Sequence, residues 1–257
     1  MRESRPVVLT RRHNACLIIT LNRPEVRNAV NDEVAGLLAA AMDTLDTDPS
    51  LRTAILTGTE GFSAGMDLKA YLHGETAEYE DRGFAGFLRT PPTKPLIAAV
   101  ERYALAGGFE IAATCDLIVC ASDATLGLPE AQKGLVADGG ALLRLPRIIG
   151  EKVTLEMALT GRHVSAHRLH QLGLITTVVE PGSTLETALE IAELINRASP
   201  EAVDATKKVI MGASGWTGAE AWQMHVSITT PIWQKPEARE GAQNFLNKAG
   251  PDSDPDI

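Results

Sequence analysis

Cysteine is scarce in this chain. Cys16, Cys115 and Cys120 are the only three in 257 residues, an odd number with no CxxC spacing, each inside a strongly apolar segment. They read as small buried hydrophobes of a protein from a reducing compartment, not as a disulfide framework. Aromatics are few as well, five Phe, three Trp and three Tyr, so a core has to be assembled mainly from Ala, Leu, Ile and Val. Positive charge is in deficit, 24 Lys plus Arg against 33 Asp plus Glu, for a net charge of −9. No run of five basic residues offsets this locally, which argues against nucleic acid as a partner. Residues 1–6 carry two arginines but lead into no long apolar stretch with a small-residue cleavage site, so no secretory signal is expected and the cytoplasm is the expected compartment.

The longest apolar stretch, residues 103–121, contains Glu110, Asp116 and a Gly107-Gly108 pair. Carboxylates inside hydrocarbon are costly, so a buried helix followed by a buried strand is expected there, and no membrane span. Several catalytic signatures are missing too. Neither GxxxxGK[ST] nor GxGxxG occurs, which removes phosphate-loop and dinucleotide readings, and no GxSxG supplies a hydrolase elbow. His163, His167 and His170 are too poorly accompanied by carboxylate or thiol to suggest a metal site.

What is present is an alternation of short β-rich runs with helical periodicity through the first two thirds, followed by helices alone. That pattern is α/β with an all-helical extension, and it places a boundary between residues 1–197 and 198–257. Residues 16–21 (CLIITL), 52–57 (RTAILT), 95–100 (PLIAAV) and 117–121 (LIVCA) read as buried strands. Asn31 is placed to cap a helix with Val34, Leu37, Leu38, Ala41 and Leu45 on one face, ending before Asp48-Pro49. A further helical stretch is expected near residues 78–88. Towards the C-terminus, Ser183-x-x-Glu186 and Thr217-x-x-Glu220 fit capping boxes and Ser199-Pro200 a proline-started helix. Helices are expected near 184–197, 200–212, 217–229 and 236–248, and the apolar face carrying Trp222 and Trp233 needs cover.

Three features invite chemistry. Gly107-Gly108 opens an apolar helix with Glu110 on its first turn; glycine admits close approach of a ligand, and free N–H groups at a helix start favour negative charge. A tight strand-to-helix turn is the plainer alternative. The second feature is the strand-following loop GTEGFSAGMDLK at residues 58–69, which is otherwise a surface loop with unusually apolar members. The third is Leu128-Pro129-Glu130, an acid just beyond an apolar strand that alternatively just starts a short helix, followed by Asp138-Gly139-Gly140, where Asp138 is a candidate cap.

Taken in order, FSAGMDLK, KPLIAAVERYALAGGFEIAATCDLIV and ATLGLPEAQKGLVADGGALLRLPRIIG resemble the crotonase superfamily, the enoyl-CoA hydratase and isomerase family, over about residues 17–179. GGFE, LPEAQKG and ADGGALLRLP look most like its carnitinyl-CoA dehydratase branch. The resemblance implies a spiral of repeated ββα units, a C-terminal helical region used in trimer formation, and a homotrimer or a hexamer of two trimers. It implies an acyl-CoA thioester as substrate, a role in lipid metabolism, and no cofactor, coenzyme A being part of the substrate. It also implies an oxyanion hole from the N–H groups of Met66 and Gly107, and acid/base roles for Glu110 and Glu130. CoA contacts carry over to Val26, Ala64, Asp67 and Leu68, with Arg23, Arg27 and Lys69 as candidate phosphate partners.

The implied reaction is reversible hydration of a trans-2-enoyl-CoA to a 3-hydroxyacyl-CoA. Water addition builds charge on the thioester oxygen, which two preorganised amides stabilise, so side-chain identity at Met66 matters little and a Cβ at Gly107 is expected to crowd the thioester. Two glutamates sharing a water in an apolar pocket have proton affinities pushed apart. Glu130 is read as the base and Glu110 as the group that orients the water, the reverse being open. Carnitinyl-CoA dehydration, Δ3-Δ2 isomerisation, thioester hydrolysis and silent acyl-CoA binding are the alternatives. A quaternary-ammonium acyl group would draw on Asp138 as counter-charge and on Tyr71, Tyr79, Phe84 or Phe87. The chain departs from the family pattern at Arg102, where a small turn residue is usual, and in the incomplete basic pair after Phe245.

Overall fold

The computed structural model describes residues 5–248. The first four residues of the N-terminal segment, and the Ala249-Gly250 part of the incomplete basic motif, lie outside the described residues. The chain divides between Asn196 and Arg197 into two compact units.

The first unit opens with an antiparallel pair, β1 (Val8–His13) and β2 (Cys16–Leu21). Helix α1 (Asp32–Thr47) then crosses to β3 (Thr53–Gly58), which lies parallel to β2. Asn31 caps α1 as its sequence suggests, its side-chain oxygen accepting the Val34 N–H at 3.2 Å. Val34, Leu38, Ala41, Met42 and Leu45 are buried, whereas Leu37 stays exposed at the edge of the stripe. A one-turn helix α2 (Leu68–Tyr71) precedes β4 (Leu96–Val100) and β5 (Tyr103–Leu105), and helix α3 (Gly107–Thr114) leads to β6 (Leu117–Ala121) and β7 (Thr125–Gly127). After a 3-10 turn at Glu130–Lys133 come α4 (Ala141–Ile148), α5 (Glu151–Thr160), β8 (Val164–Ser165), α6 (Ala166–Gln171), β9 (Thr177–Val179) and α7 (Thr184–Arg197).

The strands form two sheets, one ordered β1-β2-β3-β4-β6-β9 and the other β5-β7-β8. From β2 onward the larger sheet is parallel, with helices or loops as crossovers. Strands β4 and β6 each hand the chain on to a short strand of the second sheet, β5 and β7, a strand-strand-helix repeat of the kind that the resemblance implies. Because β-strand side chains alternate, the central strands feed two cores. Cys16, Ile18, Ile55, Ile97, Ala99 and Val119 face α7 with Ala188 and Ala192, while Leu17, Ile19, Ala54, Leu56 and Ala98 join the larger cluster with α1 and α3. All three cysteines are buried in these cores, and no disulfide joins them. Among the described residues no helix is long and apolar enough to cross a membrane.

Local expectations fail where tertiary contacts dominate. Residues 78–88 hold a 3-10 turn, Glu80–Arg82, inside an isolated antiparallel Glu78–Phe84 bridge, and Gly86 presses so closely on α1 that a Cβ there would meet the Ala35 carbonyl oxygen at 2.3 Å. The start of α7 is held from afar: the Glu101 carboxylate accepts the N–H of Gly182 at 3.0 Å, the N–H of Thr184 at 3.3 Å and the Thr184 hydroxyl at 2.8 Å.

The second unit consists of α8 (Pro200–Ala213), α9 (Gly218–Trp233) and α10 (Pro236–Lys248). Pro200 occupies the first position of α8. Thr217 does not cap α9 through its side chain; its hydroxyl instead donates to the Glu220 carboxylate at 3.3 Å. Helix α9 continues through Pro231 to Trp233, past the expected end. Trp222, Trp233, Phe245 and Leu246 are exposed.

Candidate active site

The loop after β3 is shaped by the segment before α1. Asn28, buried with φ 54°, donates through Nδ2 to the carbonyls of Thr59 at 2.9 Å and Gly61 at 2.7 Å, and accepts the Arg23 N–H at 2.8 Å. Ser63, fully buried, donates its hydroxyl to the Asn28 carbonyl at 2.8 Å and accepts the Gly65 N–H at 3.1 Å. Val30 then forms a parallel bridge with Met66: its N–H donates to the Gly65 carbonyl and its carbonyl accepts from Asp67, both at 2.8 Å. In such a bridge the N–H of the intervening residue points the other way. The Met66 amide has no acceptor among the described residues.

Across from it stands the start of α3. Ala106 holds φ 51° and ψ −132°, a conformation rare for a residue with a Cβ and one that costs on the order of 1–3 kcal/mol. It is fixed by its N–H donating to the Gly127 carbonyl at 3.0 Å and by its carbonyl accepting from Phe109 at 2.8 Å and Glu110 at 3.1 Å. As the first helical residue, Gly107 has no intrahelical acceptor for its N–H and none elsewhere among the described residues. The glycines are sterically required: a Cβ at Gly108 would lie 2.2 Å from the Ser63 carbonyl oxygen. At Gly107 a Cβ would meet the Phe84 ring at 2.6 Å, so a protein side chain, not only a ligand, enforces that glycine.

The two residues whose amides lack acceptors, Met66 and Gly107, and the two buried acids, Glu110 and Glu130, line one cavity of about 260 Å³. Ala64, Met66, Leu68, Gly107, Glu110, Glu130 and Asp138 all line it, together with Tyr71 and Phe84. The acids differ in what holds them. Glu110 Oε1 accepts the Ala141 N–H at 3.1 Å, and the Gly139 N–H lies near enough to favour its charged form as well. Burial raises its proton affinity, these amides lower it, Asp138 raises it and Arg144 lowers it, leaving it above the usual carboxylate value. Neither carboxylate oxygen of Glu130 has a hydrogen-bond partner among the described residues. Burial, with Glu110 and Asp138 adding repulsion, pushes Glu130 up to about 7. The arrangement is one carboxylate whose backbone donor offsets part of its burial beside another, without such donors, poised to carry a proton.

Not every expected residue joins them. Asp67 turns away from the cavity to cap α2, accepting the N–H groups of Lys69 at 3.1 Å and Ala70 at 3.2 Å, and it pairs with Arg23 at 3.0 Å. Burial would raise its proton affinity, but the backbone donors and Arg23 outweigh this and hold it below the usual value. Arg23 is therefore committed to the loop. Val26 is partly exposed on a 3-10 turn outside the cavity wall. Asp138 does not cap α4, whose N-cap is Gly140. Tyr79 faces Gly36 on α1 and Phe87 is fully buried in the core, so neither joins the wall. The sequence reading missed Lys133, Leu135 and Val136, which line the cavity just beyond Glu130, and the amides that hold Glu110. The Gly139-Gly140 pair before a helix was the visible signal for the latter.

Paired acids of unequal proton affinity, opposite two amides without acceptors, define an acid/base site for a substrate whose oxygen becomes negative during reaction. A family model described as enoyl-CoA hydratase/isomerase matches residues 11–254. The chain is 40% identical over 244 residues to the mevalonyl-coenzyme A hydratase sidH of Aspergillus fumigatus, covering 91% of this chain and 90% of that one. It is 37% identical to the carnitinyl-CoA dehydratase of Salmonella typhi, covering 93% and 95%. A crystal structure of an enoyl-CoA hydratase from Mycobacterium tuberculosis superposes with a TM-score of 0.92 at 49% identity, covering 95% and 97%. The chain belongs to the enoyl-CoA hydratase/isomerase family of the crotonase superfamily. It is an enzyme of the hydro-lyase type.

Proposed function

We propose that this enzyme catalyses the reversible hydration of a trans-2-enoyl-CoA to a 3-hydroxyacyl-CoA, with coenzyme A arriving as part of the substrate and no further cofactor needed. The observation that carries the reading is the unequal pair, Glu110 held by amides and Glu130 without a partner, in one cavity with the Met66 and Gly107 N–H groups.

The asymmetry favours roles opposite to those expected from the sequence. Glu110, stabilised as a carboxylate by the Ala141 and Gly139 amides, takes a proton from the bound water as its oxygen adds to Cβ. The electron pair of the double bond moves onto the thioester carbonyl, and the resulting enolate oxygen is met by the Met66 and Gly107 amides. Glu130, protonated, then delivers its proton to Cα. The proton gained by Glu110 and lost by Glu130 balances the addition of one water, and exchange with solvent resets the pair. Losing one donor of such a hole typically costs ~10²–10³ in rate.

A second reading is dehydration of carnitinyl-CoA. It draws on Asp138, Tyr71 and Phe84 in the cavity wall, groups suited to a quaternary ammonium, with Lys133 in the same wall weighing against it. The C-terminal helices, with Trp222, Trp233 and Phe245 exposed, fit assembly as a homotrimer or a pair of trimers, which light scattering reads directly.

The test is loss of the conjugated-thioester absorbance of crotonyl-CoA, with crotonobetainyl-CoA run in parallel. Glu110→Gln and Glu130→Gln are each expected to cut turnover by orders of magnitude with acyl-CoA binding retained. Unchanged turnover in both variants sinks the paired-acid mechanism. CoA binding by the parent with no turnover of either thioester moves the assignment to isomerisation or to silent binding.

A further inference from the structure

Arg144 sits where a cation is electrostatically disfavoured. It lies in the first half of α4, and its guanidinium folds back over the N-terminus of that helix so closely that a Cβ at Gly140 would fall 2.2 Å from Nη1. A half-buried cation at the positive end of a helix dipole is unfavourable on both counts. Its partners explain the placement. Nη2 donates to the Leu88 carbonyl at 2.5 Å and Nη1 to the Gly139 carbonyl at 3.3 Å, so one side chain ties the 3-10 turn region below α1 to the loop before α4. That loop leads directly into Ala141, the first residue of α4, whose amide holds Glu110, and places the Gly139 amide beside it. Gly139 itself is wedged in place, since a Cβ there would lie 2.7 Å from the Leu88 side chain and 2.9 Å from Glu110 Oε2.

We propose that Arg144 is a positioning residue for the reaction: tied to the Gly139 and Leu88 carbonyls, it fixes the backbone beside Glu110 that includes the Ala141 amide, and it sets a cation near that carboxylate. The proposal rests on Glu110 being the base. Charged groups near Glu110 from the surrounding elements are Asp138 in the loop before α4, which favours its protonation, and Arg144, which opposes it; Glu130 on the 3-10 turn is itself raised by the Glu110 charge. Burial lowers the proton affinity of Arg144 and Glu110 restores part of it, as expected for two groups that feel each other. Lysine is not an equivalent occupant, because the fork that reaches two carbonyls at once is a property of guanidinium.

The experiment compares the parent with Arg144→Gln and Arg144→Lys in two measurements. One is the carboxyl-carbon NMR titration of Glu110 without substrate, assigned with Glu110→Gln; the other is the pH profile of kcat and KM with crotonyl-CoA. In Arg144→Gln the Glu110 midpoint is expected to rise by about one pH unit, the acidic limb of kcat to move with it, and kcat on that limb, below the parental midpoint, to fall about tenfold while KM changes less than about twofold. Arg144→Lys is expected to restore the midpoint but not the full kcat. An unmoved Glu110 midpoint in Arg144→Gln overturns the proposal, whatever happens to thermal stability. Should Arg144→Gln fail to fold, Arg144→Lys decides: parental kcat overturns the proposal and reduced kcat at constant KM supports it. Because the titration needs no turnover, an Arg144-dependent Glu110 midpoint in an enzyme inactive on crotonyl-CoA counts against the hydratase reading, not against the role of Arg144.

Discussion

Gly65 and Gly107 meet so closely that a Cβ on Gly65 would lie 2.7 Å from the Gly107 amide nitrogen. Gly65 also holds φ +93°, a conformation that side chains avoid. Gly65→Ala is therefore expected to displace the two amides of the proposed oxyanion hole relative to each other. Turnover with crotonyl-CoA should fall by ~10²–10³, the effect of losing one preorganised donor, while CoA affinity by calorimetry changes little. Parental turnover in Gly65→Ala would show that the hole does not depend on this contact.

The two glycines illustrate what the sequence made legible. Strand β2 runs from Cys16 to Leu21 as its apolar, β-branched composition suggests, and Asn31 caps α1 as its position suggests. These are local signals. The cavity residues were legible through the family resemblance, because loop, helix start and acid recur as short blocks. What escaped depends on contacts distant in sequence. The amides holding Glu110 lie some 30 residues downstream, the cap of α7 is Glu101, and the expected helix near residues 78–88 gives way to turns under close packing with α1. Strand β1 escaped because an edge strand with five of its six residues exposed shows no apolar run.

Asp67 and Arg23, both expected at the CoA contact, hold each other, and Asp67 caps α2. Asp67→Ala removes both an N-cap and a partly buried ion pair, for a destabilisation of about 1–2 kcal/mol in urea unfolding. The sign with pH follows from its lowered proton affinity: the contribution is present above the usual carboxylate range and is lost as pH falls through the depressed value. The gap between parent and variant is thus expected to close in acid. A large loss of CoA affinity without loss of stability would return Asp67 to direct ligand contact.

Asn28 carries more of the loop than its size suggests. Its side chain satisfies two carbonyls and one N–H at φ 54°, a region asparagine tolerates better than alanine. Asn28→Ala leaves these groups without that partner and strains the turn, with an expected cost of about 3 kcal/mol in urea unfolding. Since the same loop aims the Met66 amide, turnover is expected to fall in parallel at temperatures where the variant remains folded. Loss of stability with turnover intact would uncouple Asn28 from the site.

Glu130 links chemistry to stability through a single proton. Its value in the folded protein, about 7 against 4.5 for a free side chain, is set first by burial. The folded state then binds more protons than the unfolded chain between those values, so stability falls as pH rises through that window and the penalty is complete above about 7. The penalty is at most about 3 kcal/mol. Glu130→Gln keeps the shape and cannot ionise, so its unfolding free energy is expected to be independent of this window. The variant should match or trail the parent near pH 5 and exceed it at pH 8. The same proton gives the hydration rate of the parent an alkaline limb beginning near pH 7, as macroscopic behaviour of the coupled pair. A parent whose stability relative to Glu130→Gln does not change between pH 5 and 8 has Glu130 ionised throughout, and the proton delivered to Cα must then come from another group.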